Sequence, residues 1–479
     1  MQFDSAVLIP ILPELFVLTM ACVVLVVDLY LEDEQRHISY NLSQLTLLAA
    51  IAITGLVAQP QAQVVFDNNY VRDPMGDALK IFIYLISFFA FVYSKDYLRD
   101  RNLFKGEFYV LGLFAVLGMT IMVSANNFLI VYLGLELLAL TLYALVAFNR
   151  DSAKGSEAAM KYFVLGALGS GMLLYGMSMI YGATGSIELA TVAQQAAEQG
   201  MDNKILVFGL AFLVIGIGFK FGAVPFHMWV PDIYEGAPTP VVLFLGSAPK
   251  IAAFALAMRL LVDGLEQLHP DWQGMLVILA VLSMALGNVF AIAQSNIKRM
   301  LAYSTISHVG FIFLGILAGT PQGYAAAMFY AIVYALMAAG GFGILLLLSR
   351  KGFEVENLAD LKGLNERDSW YAAMMALLMF SMAGVPPTVG FMAKLLVLEA
   401  VVRIDLVWLA LVGVFFSIIG AFYYLRVIKM MYFDNPVDEG PLTATAGTRI
   451  ALTVNGLAML VLGIYPTALL TLCQGVFGG

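Results

Sequence analysis

Four charged residues, Glu136, Lys220, Lys250 and Lys394, each stand near the middle of a long apolar run. The chemistry open to them is proton exchange, because a carboxyl or an amine holds or releases a proton according to its burial and the charges beside it. An ionised group at bilayer depth costs between about 3 and 17 kcal/mol, depending on the reference state, so such residues usually face a polar cavity and mark an ion or proton path. A soluble core would not hold them, and a passive membrane anchor would not need them. They read as the working groups of a membrane ion or proton translocator.

The elements that must position them are transmembrane helices. The chain is 61% hydrophobic and only 12% charged, against about half and a quarter in soluble domains. A spanning helix needs about 20 apolar residues, and fourteen runs qualify: 6–30, 40–58, 78–94, 107–124, 126–148, 158–182, 204–230, 241–262, 273–293, 301–318, 324–348, 371–402, 406–431 and 448–472. The largest gaps, 59–77, 183–203 and 349–370, are too short to bury a core of their own. The expected fold is an all-α polytopic membrane protein, one transmembrane domain over residues 1–479. Met1-Gln2-Phe3-Asp4 has no positive n-region, so the first run reads as a retained helix and not a cleaved signal.

Lysine and arginine set the orientation. With the N-terminus outside, the inner loops receive Arg36, Lys95, Arg99, Arg101, Lys105, Arg150, Lys154, Lys298, Arg299, Arg350, Lys351, Lys362 and Arg367, and the outer loops mainly Arg72, Lys204 and Arg403. Fourteen spans bring both termini outside. The net charge of -8 reflects acidic outer loops such as Asp263-Gly-Leu-Glu266 and suggests no nucleic-acid partner.

Redox chemistry finds no footing in this sequence. Cys22, in the first run, and Cys473, at the end of the last, show no clustering and read as packing residues. Of His37, His227, His269 and His308, only two fall at membrane depth, on different helices. No metal site and no cofactor are expected in the chain. Gly216-Ile-Gly218-Phe-Lys-Phe-Gly222 imitates a nucleotide loop but lies inside a span with no preceding strand, so its glycines read as helix packing. Gly166, Gly169, Gly171 and Gly176 in span six read the same way.

Spans seven and twelve are too long for one crossing, and proline interrupts both. Lys220-Phe-Gly-Ala-Val-Pro225-Phe-His227 puts a break about one turn after a lysine. Gly384-Val-Pro386-Pro387-Thr-Val-Gly390 removes two backbone donors in succession, and Lys394 follows about two turns later. Each break predicts a hydrated pocket, since irregular backbone at membrane depth needs protein or water to satisfy it. The breaks lie five spans apart, and an odd repeat unit enters the membrane in opposite orientations. The expected organisation is therefore spans 1–3 over 1–106, inverted five-helix repeats over 107–262 and 273–431 (spans four to eight and nine to thirteen), and span fourteen at 448–472.

A single carboxylate at Glu136 needs protonation or a partner, and Lys161 at the start of span six is the expected partner, its position also allowing it to snorkel to the interface. A lysine beside a carboxylate keeps its proton and a lysine in an apolar pocket loses it, so a change of partner changes proton affinity. His227 and His308 are candidate relays between Lys220, Lys250 and Lys394, or else hydrogen-bonded packing residues.

Taken together, these segments resemble the antiporter-like subunits shared by respiratory NADH:quinone oxidoreductase (complex I) and the Mrp-type cation/proton antiporters. The resemblance covers essentially the whole chain and rests on the run around Glu136, Lys220 to Asp232, Lys298 to His308 and Gly384 to Lys394. Tyr234-Glu-Gly-Ala-Pro-Thr-Pro-Val and Ala248-Pro-Lys250 look most like the N-type branch of the respiratory enzymes, and the end of the chain after span fourteen and a lysine at 394 agree with that branch.

The resemblance implies roles. Glu136 with Lys161 would modulate lysine proton affinity, Lys220 would be the central protonatable site, Lys250 a connecting relay and Lys394 the exit-side site. It further implies a bacterial inner membrane with both termini periplasmic, and partners in a membrane arm that include an antiporter-like subunit M and small membrane subunits. FMN and iron-sulfur clusters are then expected in partner subunits, and proton translocation is driven by quinone reduction elsewhere. The alternatives are a subunit of a Mrp-type antiporter driven by an ion gradient, and a structural subunit whose charges serve assembly.

Overall fold

In lipid every backbone N–H and C=O must be satisfied inside its own segment, which leaves the helix as the form an apolar run adopts. The computed structural model, which describes residues 8–437, 440, 442 and 444–478, is built accordingly. In chain order its helices are α1 (Leu12–Asp28), α2 (His37–Val57), α3 (Pro74–Asp100), α4 (Gly106–Val123), α5 (Phe128–Val146), α6 (Ala153–Thr184), α7 (Leu189–Gln199), α8 (Lys204–Phe221), α9 (Trp229–Gly236) and α10 (Thr239–Gly246). There follow α11 (Ala248–Ala257), α12 (His269–Ile292), α13 (Ile297–Leu317), α14 (Pro321–Leu348), α15 (Leu364–Arg367), α16 (Ser369–Ala383), α17 (Val389–Arg403), α18 (Val407–Phe433), α19 (Ala446–Ile464) and α20 (Thr467–Phe477). A short antiparallel ribbon, β1 (Gln63–Val65) and β2 (Tyr70–Arg72), fills the first long gap.

Helix occupies each of the fourteen expected runs, although residues 6 and 7 of the first, and the Met1–Asp4 start, lie outside the described residues. Twelve helical stretches among the described residues are long and apolar enough to cross a membrane, and the chain is a multi-span membrane protein. Both expected breaks are present, between α8 and α9 and between α16 and α17.

Two runs expected to be continuous are not. Span eight stops at Gly246 and restarts at Ala248, because Pro249 has no N–H to give the carbonyl four residues before it. The Ser247 hydroxyl donates instead to the carbonyls of Leu243 (2.6 Å) and Phe244 (3.3 Å). Span fourteen divides at Tyr465-Pro466 for the same reason, into α19 and α20. The 183–203 gap contains α7, which buries Leu189, Val192 and Ala196, one face of an amphipathic helix.

The chain forms two compact units. One holds the residues up to Phe91, then Phe104–Lys220 and Ala248–Met275. In it α4 and α5 touch backbone to backbone: a Cβ on Gly118 would lie 2.6 Å from the Leu138 nitrogen, and one on Gly134 2.6 Å from that of Met122. Gly176 of α6 meets Gly209 of α8 in the same manner, whereas Gly171, expected to share that role, opens on nothing within 4 Å.

The same unit carries two ionic clusters that the sequence reading missed. Lys80 of α3 pairs with Glu14 of α1 at 2.6 Å, both side chains almost fully buried, and donates to the Tyr70 hydroxyl at 2.8 Å. Arg259, in the π-helical turn after α11, joins Asp73 and Asp263, each at 2.8 Å. Burial pushes the Tyr70 phenol up to about 12 against the pull of Lys80. Burial pushes the Asp73 carboxyl up as well, but the Arg259 guanidinium overcomes it and holds the group below its ordinary value.

The second unit holds Val92–Leu103, Phe221–Ser247 and the chain from Leu276 onward. Its core is α14, buried from Gly323 to Leu348, with α13, α16, α17 and α19 against it.

Candidate proton-transfer sites

Each unit builds one polar site, beginning in the first with α5. Asn127 caps that helix by accepting from the Ile130 N–H at 2.8 Å, which fixes the first turn. Two turns further along is Glu136, half-buried, its Oε1 buried without a hydrogen-bond partner. Tyr143 follows seven residues later on the same face, its hydroxyl lying over Gly166 of α6, where any side chain would displace it. Ser170, one turn beyond Gly166, comes within reach of that hydroxyl. The Ser170 hydroxyl also accepts from Lys220 Nζ at 2.8 Å. Lys220 stands in the last turn of α8, where the carbonyl end of the helix favours a cation, and Gly222 with φ +77° ends the helix behind it.

This site gathers a carboxyl, a phenol, a hydroxyl and an amine from α5, α6 and α8, with Lys220 held on Ser170 while Glu136 Oε1 and the Tyr143 hydroxyl are buried without a hydrogen-bond partner. Lys161, the expected partner of Glu136, is half-exposed and pairs at 2.8 Å with Glu157, one turn earlier on α6. Lys250 is buried in the first turn of α11, directly after the unexpected break at Ser247.

In the second unit the site forms around the break at 384–388. Gly384, at φ +83°, ends α16, its N–H donating to the Phe380 and Ser381 carbonyls while the Val385 N–H donates to Phe380. This leaves the Ala383 carbonyl to accept from Lys394 Nζ at 2.9 Å, which also donates to Ser417 Oγ at 2.9 Å. A Cβ at position 384 would lie 2.8 Å from Lys394 Cδ, so glycine is required there twice over.

Lys394 Nζ rests 5.2 Å from the centroid of the Phe311 ring, and His308 stands one turn before Phe311 on α13. His308 shares hydrogen bonds with Tyr330 through Nδ1 (2.8 Å) and with Tyr424 through Nε2 (3.0 Å). Tyr424 meets Ser304 at 2.5 Å, and Tyr334 donates to Thr305 at 2.7 Å. The result is a buried cluster of hydroxyls around one imidazole with an amine nearby, and the hydroxyls and imidazole can accept one proton while giving another.

His227 is not brought to this cluster. It lies in the turns between α8 and α9, half-buried, with Nδ1 buried and lacking a hydrogen-bond partner. Lys298, placed among the inner-loop charges by its sequence context, is instead buried at the start of α13 and donates to the Ala237 carbonyl at 3.3 Å. Among the described residues no three His, Cys, Asp or Glu side chains gather closely enough to hold a metal ion.

Residues 125–420 match the family described as NADH:quinone oxidoreductase/Mrp antiporter, TM. The chain is 60% identical to NADH-quinone oxidoreductase subunit N of Thioalkalivibrio sulfidiphilus, over 99% of each, and 58% identical to subunit N of Thiobacillus denitrificans, over 98% of this chain and 97% of that one. A chain of respiratory complex I from Thermus thermophilus with bound aureothin superposes with a TM-score of 0.83 at 30% identity, covering 97% of this chain and all of that one. The Mrp complex from Dietzia contains a chain of the same fold, with a TM-score of 0.85 at 19% identity, covering 99% and 97%. With the family matched across both polar sites and relatives of this similarity along its length, the chain belongs to the NADH:quinone oxidoreductase/Mrp antiporter transmembrane family.

Proposed function

We propose that this chain is a proton-translocating membrane-arm subunit of an NADH:quinone oxidoreductase. The observation that carries the proposal is the pair of lysines at broken helices, Lys220 held on Ser170 and Lys394 on the Ala383 carbonyl and Ser417. Relatives named subunit N of that enzyme, more than half identical along the whole chain, favour it over a cation/proton antiporter. The redox groups, FMN and iron-sulfur clusters, belong to partner subunits, and the nearest partners are another antiporter-like subunit of the M type and small membrane subunits. The membrane is the bacterial inner membrane, with both termini periplasmic.

A conformational or electrostatic change arriving from a neighbouring subunit alters the distance between Glu136 and its lysine partners. Lys220 then gains or gives up a proton, Lys250 acts as the connecting relay, and Lys394 is the exit-side site that releases it. A charge crossing the membrane field costs about 2.3 kcal/mol per 100 mV, and one unit of proton affinity is worth about 1.4 kcal/mol. Swings of about two to three units per lysine match the load.

Glu136→Gln keeps the shape of the side chain and removes its charge. The expected result in energised membrane vesicles is a pumping rate lower by roughly tenfold, the effect of one unit of proton affinity at Lys220. Lys220→Met in the same vesicles should lower pumping further, and quinone reduction with it if coupling is tight. Normal values of both in the Lys220 variant would remove that residue from the mechanism. Cation-driven proton exchange without NADH oxidation would establish the antiporter reading instead.

A further inference from the structure

Besides protons handed on from Lys220 and Lys250, the polar groups around His308 have a second source within the same unit: the loop after α14 holds a carboxylate placed to supply them. Glu354 is half-buried, with a quarter of its side chain open to solvent. Its Oε1 accepts from Thr239 Oγ1 at 2.8 Å and from the Tyr97 hydroxyl at 3.1 Å, and its Oε2 accepts from Arg101 at 2.5 Å. Thr239 is only 1% exposed, so this one carboxylate bridges water and the interior.

From Thr239 the polar groups continue inward. The hydroxyl opens α10, two residues after Ala237, whose carbonyl holds the buried Lys298. Two turns beyond Lys298 on the same face of α13 stands Thr305, which takes the Tyr334 hydroxyl and has the otherwise unsatisfied Tyr234 hydroxyl of α9 within reach. His308, one turn after Thr305, and then Lys394, over the ring of Phe311, complete the series. The steps longer than a hydrogen bond call for a bridging water. We infer that Glu354 is the proton-collecting group of the second site, passing protons through Thr239 and Lys298 to the His308 and Lys394 pair. The inference rests on the reading of the chain as a proton translocator.

A carboxylate is suited to the task because it attracts protons to a loop otherwise rich in Arg350 and Lys351 and exchanges them quickly with water. The charged and titratable groups facing it are Tyr97, in the last turn of α3, and Arg101, just beyond it, both donating to the carboxylate. The competing account is a tether, in which the Arg101 ion pair merely holds the loop to α3. The two differ in what a change of charge without a change of shape does.

The test uses the whole respiratory complex carrying Glu354→Gln, with proton pumping measured in sealed vesicles at pH 6 and pH 8 and the amount of assembled complex recorded. The inlet predicts near-normal pumping at pH 6 and a loss of roughly tenfold at pH 8, where protons are scarce, equivalent to one unit of proton affinity. Thr239→Val, which leaves the ion pair alone, should show the same alkaline loss. Equal pumping by Glu354→Gln and the parent at both pH values would overturn the inference, and so would a loss independent of pH that follows the amount of complex. Lys394→Met in the same preparation separates the two levels. If it fails to pump while Glu354→Gln is normal, only the inlet is wrong, and if it too pumps normally, the translocator reading falls and the inlet with it.

Discussion

Replacing Lys394 by methionine is expected to lower NADH-driven proton pumping by roughly a hundredfold, the lower end of what a single proton-transferring group contributes. Methionine fills nearly the same volume and has no ammonium, so the proton-accepting amine beside the His308 cluster disappears while the packing against Phe311 remains. The break itself should survive. Gly384 and Val385 close α16 through their own hydrogen bonds to Phe380 and Ser381, and the change strands only the Ala383 carbonyl and the Ser417 hydroxyl. Each orphaned group costs about 1–3 kcal/mol, which a protein with this much buried helix tolerates. Pumping measured with a pH-sensitive dye in inverted vesicles, beside the quantity of assembled complex, separates the two effects. Wild-type pumping by a fully assembled variant would exclude Lys394 from the path.

The largest expected effect on stability comes from Lys80. Its ammonium and the Glu14 carboxylate are almost completely withdrawn from solvent, so Lys80→Met leaves a bare carboxylate among α1, α3 and β2. Breaking a buried pair by removing one partner costs about 3–5 kcal/mol, whereas replacing both members by apolar residues is often neutral. Lys80→Met should therefore accumulate poorly and inactivate at markedly lower temperature, and the double variant Glu14→Leu, Lys80→Met should recover most of the loss. Thermal inactivation of the detergent-solubilised complex measures both. Equal damage in the single and double variants would mean that the pair does something besides balancing charge.

What could be read from the sequence was governed by distance along the chain. Apolar runs and prolines act locally, so the spans and the breaks beside Lys220 and Lys394 were legible, as was the idea that each lysine belongs to a break. Ser247 was missed although Pro249 stands two residues away, because the surrounding run is apolar enough to pass for one continuous span. Tertiary partners left no such mark. That Glu136 shares a site with Tyr143 and Ser170 depends on the contact of α5 with α6, and Tyr330 and Tyr424 meet His308 from helices far apart in the chain. Lys298 illustrates the limit of charge counting. A basic residue next to Arg299 at a helix start reads as a loop charge, yet Arg299 alone takes up the surface ion pairs with Asp232 and Glu235, and Lys298 turns inward to the Ala237 carbonyl. The Tyr330 and Tyr334 spacing on one face of α14 was the signal available for the hydroxyl cluster, and in an apolar helix it is indistinguishable from aromatic packing.

The most direct test of the central claim is to purify the chain gently from its native membrane by a tag and assay NADH:quinone oxidoreductase activity in the particle that comes with it. The account predicts one large particle that oxidises NADH, reduces quinone and, once reconstituted into vesicles, acidifies one side. A particle without that activity that still exchanges cations for protons would contradict it.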